Sequence, residues 1–237
     1  MKTLVLMPTY NEAEVIKESI EHLLGAVEEI DLLVIDDNSP DGTGQIADRL
    51  AKQNDRISVL HRERKQGLGE AYVAGFSWAL AHGYELLVQM DSDGSHRPED
   101  LPQLLQAAAT GSDLVIGSRW IAGGEVRNWP ASRQLISRFG NRYASLMLGS
   151  QIRDMTAGFR VYRADLLKQL PLSETQAHGY GFQVEMTYNA EKLGARVVEV
   201  PITFVERESG KSKMTLGIVL EAFWLCTLWG LKRLIRR

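Results

Sequence analysis

From Met1 to about Gly117 the chain alternates short β-branched apolar runs with longer segments of helical period, the pattern of an α/β sheet whose strands are joined by crossover helices. The spacing predicts strands at Thr3 to Met7, Leu32 to Ile35, Ile57 to Leu60, Leu86 to Met90 and Leu114 to Ile116. Helices are expected from Glu12 to Leu24, Thr43 to Gln53, Leu68 to His82 and Pro98 to Ala109. The last opens on Pro98 behind Ser95 or His96, with Glu99 and Asp100 at the positive end of its dipole. At 237 residues and 44% apolar content there is enough buried surface for one full core.

Open α/β sheets bind ligands beyond the carboxyl ends of their strands, so the residues that follow each strand carry the chemistry. They are Pro8-Thr9-Tyr10-Asn11-Glu12, Asp36-Asp37-Asn38-Ser39-Pro40-Asp41-Gly42-Thr43, Asp91-Ser92-Asp93-Gly94-Ser95-His96 and Ser118-Arg119. Carboxylates from three loops are therefore expected to converge on one edge. Two acids as close as Asp91 and Asp93 repel unless a cation or donors compensate, and an all-oxygen set suits Mg²⁺ or Mn²⁺ bridging a diphosphate. A pair of carboxylates capping the next helix would explain the same residues. Asp36 and Asp37 have the acceptors to grip a nucleobase or ribose, whereas Asp41, Gly42 and Thr43 read as turn makers. No glycine follows the first strand, so a G-x-G-x-x-G dinucleotide turn is absent. Further polar clusters lie at Asp154 to Arg160, at Gly179 to Glu185, where a helix opens, and at Arg207, Gly210, Ser212 and Lys213, a loop rich in phosphate-compatible donors. His96 and His178 read as ordinary surface or hydrogen-bonded histidines.

A net charge of −3 gives no sign of a nucleic-acid partner. Against that balance, five arginines (Arg127, Arg133, Arg138, Arg142 and Arg153) fall between Val126 and Arg153 with no Asp, Glu or Lys, around an expected helix from Ala131 to Leu148. Leu216 to Leu231 is apolar nearly all round and ends in a basic cluster; its sixteen residues reach roughly 24 Å, short of the roughly 30 Å hydrocarbon core. This suits a helix lying on an anionic membrane surface, docked on an integral-membrane partner, or packed on the domain. The single cysteine, Cys226, and an N-terminal apolar run cut short by Pro8 point to a reducing, cytoplasmic compartment.

In this order the motifs closely resemble the polyprenol-phosphate (dolichol-phosphate) mannose synthases, inverting GT-A glycosyltransferases of family 2. The resemblance runs from about Leu4 to Met214. It rests on P-T-Y-N-E at Pro8 to Glu12, D-D-x-S-P-D-G-T at Asp36 to Thr43, G-L-G-x-A-Y at Gly67 to Tyr72, M-D-x-D-G-S-H at Met90 to His96, G-S-R at Gly117 to Arg119, R-N-W-P at Arg127 to Pro130, T-A-G-F-R at Thr156 to Arg160 and E-R-E-x-G-x-S-K-M at Glu206 to Met214. It implies a Rossmann-like, nucleotide-diphospho-sugar transferase mixed sheet with flanking helices and amphipathic interfacial helices. A catalytic domain over 1–214 would include the interfacial helix 131–148, with a membrane-associated or packed helix over 215–237.

The implied reaction moves mannose from GDP-mannose to polyprenyl phosphate, with another nucleotide sugar such as UDP-glucose as the alternative donor. Pro8, Tyr10, Glu12, Ile35 and Asp37 match positions that hold the nucleoside. Asp91, Ser92 and Asp93 match the diphosphate and metal site, with Asp91 and Asp93 as ligands. Arg119, Arg207 and Lys213 match basic positions at the donor and acceptor phosphates, and Arg133 looks like the interfacial arginine that meets the lipid phosphate. Ser95 stands where many relatives carry Gln as an extra metal ligand. Asp93, Arg119 and Arg133 are the implied catalytic set, and the implied location is peripheral, on the cytoplasmic face of the membrane.

Overall fold

A computed structural model describes residues 1–175, 180–206 and 216–235. Strands β1 (Thr3–Thr9), β2 (Asp31–Asp36), β3 (Ile57–His61), β4 (Leu86–Gln89) and β5 (Leu114–Ser118) occupy the expected runs. Helices α1 (Ile16–Ala26), α2 (Thr43–Ala51), α3 (Leu68–Ala81) and α4 (Leu101–Ala109) fill the crossovers between them. The chain continues through β6 (Glu125–Arg127), α5 (Ala131–Leu148), β7 (Arg160–Arg163), the single turn α6 (Ala164–Leu167), α7 (Tyr180–Lys192), β8 (Val197–Pro201), β9 (Thr203–Val205) and α8 (Leu216–Ile235).

Seven strands form one sheet in the order β3-β2-β1-β4-β7-β5-β8, and β6 pairs with β9 in a separate ribbon. β1 runs parallel to both β2 and β4, whereas β7 is inserted antiparallel between β4 and β5, which makes the sheet mixed. Along β1 and β2, alternate side chains enter opposite cores: Leu4, Leu6, Leu33 and Ile35 on the face shared with α3, and Val5, Met7, Leu32 and Val34 on the other. Burial on both faces explains why these strands read as unbroken apolar runs.

Two helix starts differ from expectation. α1 begins at Ile16, because Asn11 takes a left-handed φ of 56° and the Glu12 carbonyl accepts the Val15 and Ile16 N–H groups in a preceding turn. Pro98 to Asp100 forms a 3₁₀ turn rather than the first turn of α4, and no side chain caps it: Arg97, not Ser95 or His96, holds the cap position. Pro102, in the first turn of α4, lacks the N–H that would continue the preceding turn into the helix.

α8 packs against α5 and α7, and Cys226 is buried in the core on the α3 face. Among the described residues, no helix is long and apolar enough to cross a membrane. On α5, Leu135 and Phe139 are 71% and 63% exposed, and Trp224 on α8 is 69% exposed.

Candidate active site

β2 and β4 flank β1 on opposite sides, so the strand order reverses there, and a crevice opens at the carboxyl ends of these strands. A cleft of about 380 Å³ occupies it, lined by Pro8 near the end of β1, Tyr10 and Glu12 after it, Asp37 after β2, Lys65 after β3 and Asp91, Ser92 and Asp93 after β4. The acidic loops thus meet on one edge, as their positions after the strands predict.

The Asp91 to His96 loop is held on all sides. Ser19 Oγ donates to the Ser92 carbonyl at 2.7 Å, Ser92 Oγ donates to the Pro8 carbonyl at 3.3 Å, and the Ser95 N–H donates to Asp93 Oδ1 at 3.1 Å. Gly94, with φ of 75°, makes the left-handed bend that a larger residue resists. The Asp91 N–H donates to His96 Nδ1 at 3.0 Å, and that ring stacks on Phe159. His96 is therefore a hydrogen-bonded histidine, yet a buried one that borders the cleft rather than a surface residue. Beneath the loop lies Tyr72, whose phenol is kept protonated by burial and by the charges of Asp91 and Asp93.

At the far end, the Lys65 ammonium sits 4.1 Å over the Tyr10 ring. Asp37 accepts from Arg62 Nη1 at 2.5 Å. Burial nonetheless pushes the Asp37 carboxyl above the usual range, and the repulsion from Asp36 adds to it against the pull of Arg62. Asp36 turns away from the cleft: Ser39 N–H donates to it, and its Oδ2 would lie 2.5 Å from a Cβ on Gly44, so it braces the start of α2 and does not grip a ligand. The Ile35 side chain faces α3 in the core and does not line the cleft. Asp41, Gly42 and Thr43 do make a turn, with Thr43 N–H and Oγ1 both donating to Asp41. Burial raises the Asp41 carboxyl, but these donors and the Ala13 N–H bring it below its ordinary value.

At the opposite end the cleft reaches Arg119, Trp129, Thr156, Gly158, Gln183 and Phe204. Arg119 is not a lone cation: Nε and Nη2 fork onto the two oxygens of fully buried Asp154 at 2.8 and 2.7 Å, and Nη2 also reaches Thr156 Oγ1. A second, apolar cavity of about 110 Å³ lies between α5 and α8, lined by Ile136, Tyr143, Ala144, Val184, Phe223 and Cys226 among others. Arg119, Trp129 and Thr156 line both spaces. Arg133 borders the second cavity, its guanidinium 4.0 Å over the Trp129 ring and ion-paired with Glu206. Arg207 and Lys213, and with them Gly210, Ser212 and His178, lie outside the described residues.

Position after a strand pointed to the acids; it did not point to Lys65 and Arg62, whose only signal is a basic run after β3. Asp154 and Thr156 stood in a noted polar cluster, but their pairing with Arg119 spans 35 and 37 residues and has no local signature.

The glycosyl transferase family 2 model matches residues 4–171. An undecaprenyl-phosphate mannosyltransferase from Micrococcus luteus is 54% identical over 98% of this chain and 95% of its own length. A polyprenol monophosphomannose synthase from Mycolicibacterium smegmatis is 49% identical over 98% of this chain and 88% of its own. Among solved structures, glucosyl-3-phosphoglycerate synthase from Mycobacterium tuberculosis superposes with a TM-score of 0.71 at 22% identity, covering 98% of this chain and 80% of that one. A mannosyltransferase from Pyrobaculum calidifontis, in complex with GDP-Man and Mn²⁺, gives 0.61 at 17% identity, covering 100% and 64%.

Proposed function

The chain belongs to glycosyl transferase family 2, and from that premise we propose that it transfers mannose from GDP-mannose to a polyprenyl monophosphate with inversion at the anomeric carbon. The names of the relatives at 54% and 49% identity support the sugar and the lipid acceptor, and the GDP-Man complex of the more distant mannosyltransferase supports the donor. The observation that carries the reading is the pair of cavities divided by Arg119, Trp129 and Thr156: a polar cleft suited to a sugar nucleotide beside an apolar one suited to a prenyl chain.

In this reading Tyr10, Lys65 and Asp37 receive the nucleoside. Asp91 and Asp93 fit a divalent ion, Mg²⁺ or Mn²⁺: their hard carboxylates border the cleft after β4 and would hold the ion beside the donor diphosphate. Bound there, the ion supplies charge neutralisation for the departing diphosphate. A phosphate monoester is mostly dianionic at neutral pH, so the acceptor brings its own nucleophile and needs no base from the protein. Its oxygen attacks the anomeric carbon, the bond to GDP breaks, and mannosyl phosphate forms. Arg119 and Arg133 hold the two anionic reactants together at the wall, and the rigid loop from Asp91 to His96 fixes the donor for in-line attack. The apolar exposed face of α5, with Arg138 and Arg142 beside it, rests on the lipid surface from which the acceptor comes.

Incubation with labelled GDP-mannose, a divalent metal and polyprenyl phosphate, followed by organic extraction, is expected to give a mannolipid labile to mild acid. Label that remains aqueous, or lipid labelled only from UDP-glucose, would reject the assignment.

A further inference from the structure

We infer that Gln183 binds the hydroxyl groups of the hexose being transferred; this rests on the glycosyl-transfer reading above and extends it to the residue that recognises the sugar. Gln183 stands in the first turn of α7, only 2% exposed, and borders the donor cleft. Neither its Oε1 nor its Nε2 has a hydrogen-bond partner among the described residues. A buried carboxamide left unpaired is costly, so an apolar residue of similar length would stabilise the free protein. Gln89 is also buried and unpaired, but it borders neither cavity; Gln183 faces a space large enough for a ligand.

Its backbone is fixed. The Gln183 carbonyl accepts from Arg160 Nη1 at 2.9 Å and from Thr187 Oγ1 at 3.0 Å, and the Phe182 ring lies parallel to Tyr72 within 6°. Arg160 is itself fully buried and donates to the carbonyls of Met155 and Ala157, tying α7 to the loop that forms the wall. Consecutive residues then face the two spaces: Gln183 borders the polar cleft and Val184 the apolar cavity. The anomeric carbon must lie at that division to be reached from both sides. With the nucleoside at Tyr10 and Lys65 and the diphosphate at Asp91 and Asp93, the sugar is the part of the donor left to occupy the end beside Gln183. A neutral group with one acceptor and two N–H donors complements adjacent hydroxyls, whereas a phosphate calls for a cation.

The test compares Gln183→Met with the wild type for binding of GDP and GDP-mannose, and for kcat/KM with GDP-mannose and its monodeoxy analogues. GDP affinity is expected to stay within about twofold, while kcat/KM for GDP-mannose falls about tenfold to a hundredfold. At least one deoxy donor should lose rate with the wild type and lose nothing further with the variant. Equal weakening of GDP and GDP-mannose, or the same penalty for every deoxy donor in both proteins, would overturn the inference. Gln183→Asn, which withdraws the carboxamide by one methylene, should show the same separation and replaces the Met variant if that one does not fold. If the wild type proves to use another nucleotide sugar, the donor named above is wrong, and the comparison between that nucleotide and its sugar conjugate still decides the role of Gln183.

Discussion

The fork between Arg119 and Asp154 is the most severe electrostatic commitment in the site, and its removal has a calculable consequence. Asp154 is fully buried and takes three hydrogen bonds from Arg119: from the backbone N–H at 2.9 Å, from Nε at 2.8 Å and from Nη2 at 2.7 Å. Asp154→Asn keeps the shape but removes the charge and sets an N–H against a guanidinium N–H. Losing two charge-assisted bonds, at about 1.5–3 kcal/mol each, matches the roughly 3–5 kcal/mol expected when a buried ion is stranded. In a chain of 237 residues this corresponds to a fall in Tm of roughly 10 °C. Arg119→Met should cost a similar amount by stranding Asp154. The double variant removes both charges, so it should recover at least half of either single loss, a coupling of roughly 2 kcal/mol or more. Urea unfolding of the four proteins, with reversibility checked, measures this cycle. If the double variant loses the sum of the single losses, the pair is not a coupled buried ion pair and its assigned place in the dividing wall fails. A double variant that is folded but does not transfer mannose would separate the stabilising function of Arg119 from its proposed contact with phosphate.

Three other expectations follow from the structure. Asp93→Asn should lower kcat by at least about a hundredfold at ordinary metal concentration; unchanged turnover would remove the metal from the proposed reaction. Burial pushes the Cys226 thiol up to about 11, so alkylation by a small reagent at pH 8 should be slow, accelerate toward pH 11 and be suppressed by polyprenyl phosphate in the adjoining cavity; rapid labelling at pH 8 would contradict that burial. The hydrogen bond that His61 donates to Asp48 raises the His61 pKa against a smaller effect of burial, so its stabilising contribution is complete below about pH 6.5 and disappears as pH rises through the folded value. His61→Gln should therefore be less stable than the wild type at pH 5.5 and equal to it at pH 9 by thermal unfolding, with a small difference because the ring is half exposed.

β1, β2, β4 and β5 were legible because each is a short run buried on both faces, and β3, buried only at Ile57, because its short apolar run is bounded by turn residues; the turns after β1, β2 and β4 hold the acids. β7 showed only as a brief apolar run after Arg160, and its antiparallel insertion has no sequence signal because pairing partners are set by tertiary packing. β8 and β9, half-buried throughout, were not placed from the sequence. Within the site, Asp37, Asp91 and Asp93 were marked by their place after strands. Arg119 looked like a bare cation because its partner lies on a loop far along the chain. Gln183 stood within a noted polar segment, but its unpaired amide is visible only in three dimensions.

The wall formed by Arg119, Trp129 and Thr156 has one further implication. With the donor and acceptor placed on its two sides as proposed, they would not compete for volume, so the expected route is a ternary complex rather than a sugar parked on a side chain. Initial-rate lines at several fixed acceptor concentrations should therefore intersect, not run parallel. Because the same three side chains line both spaces, the proposed reaction predicts that filling either one changes affinity for the other by one and the same factor, whichever ligand arrives first.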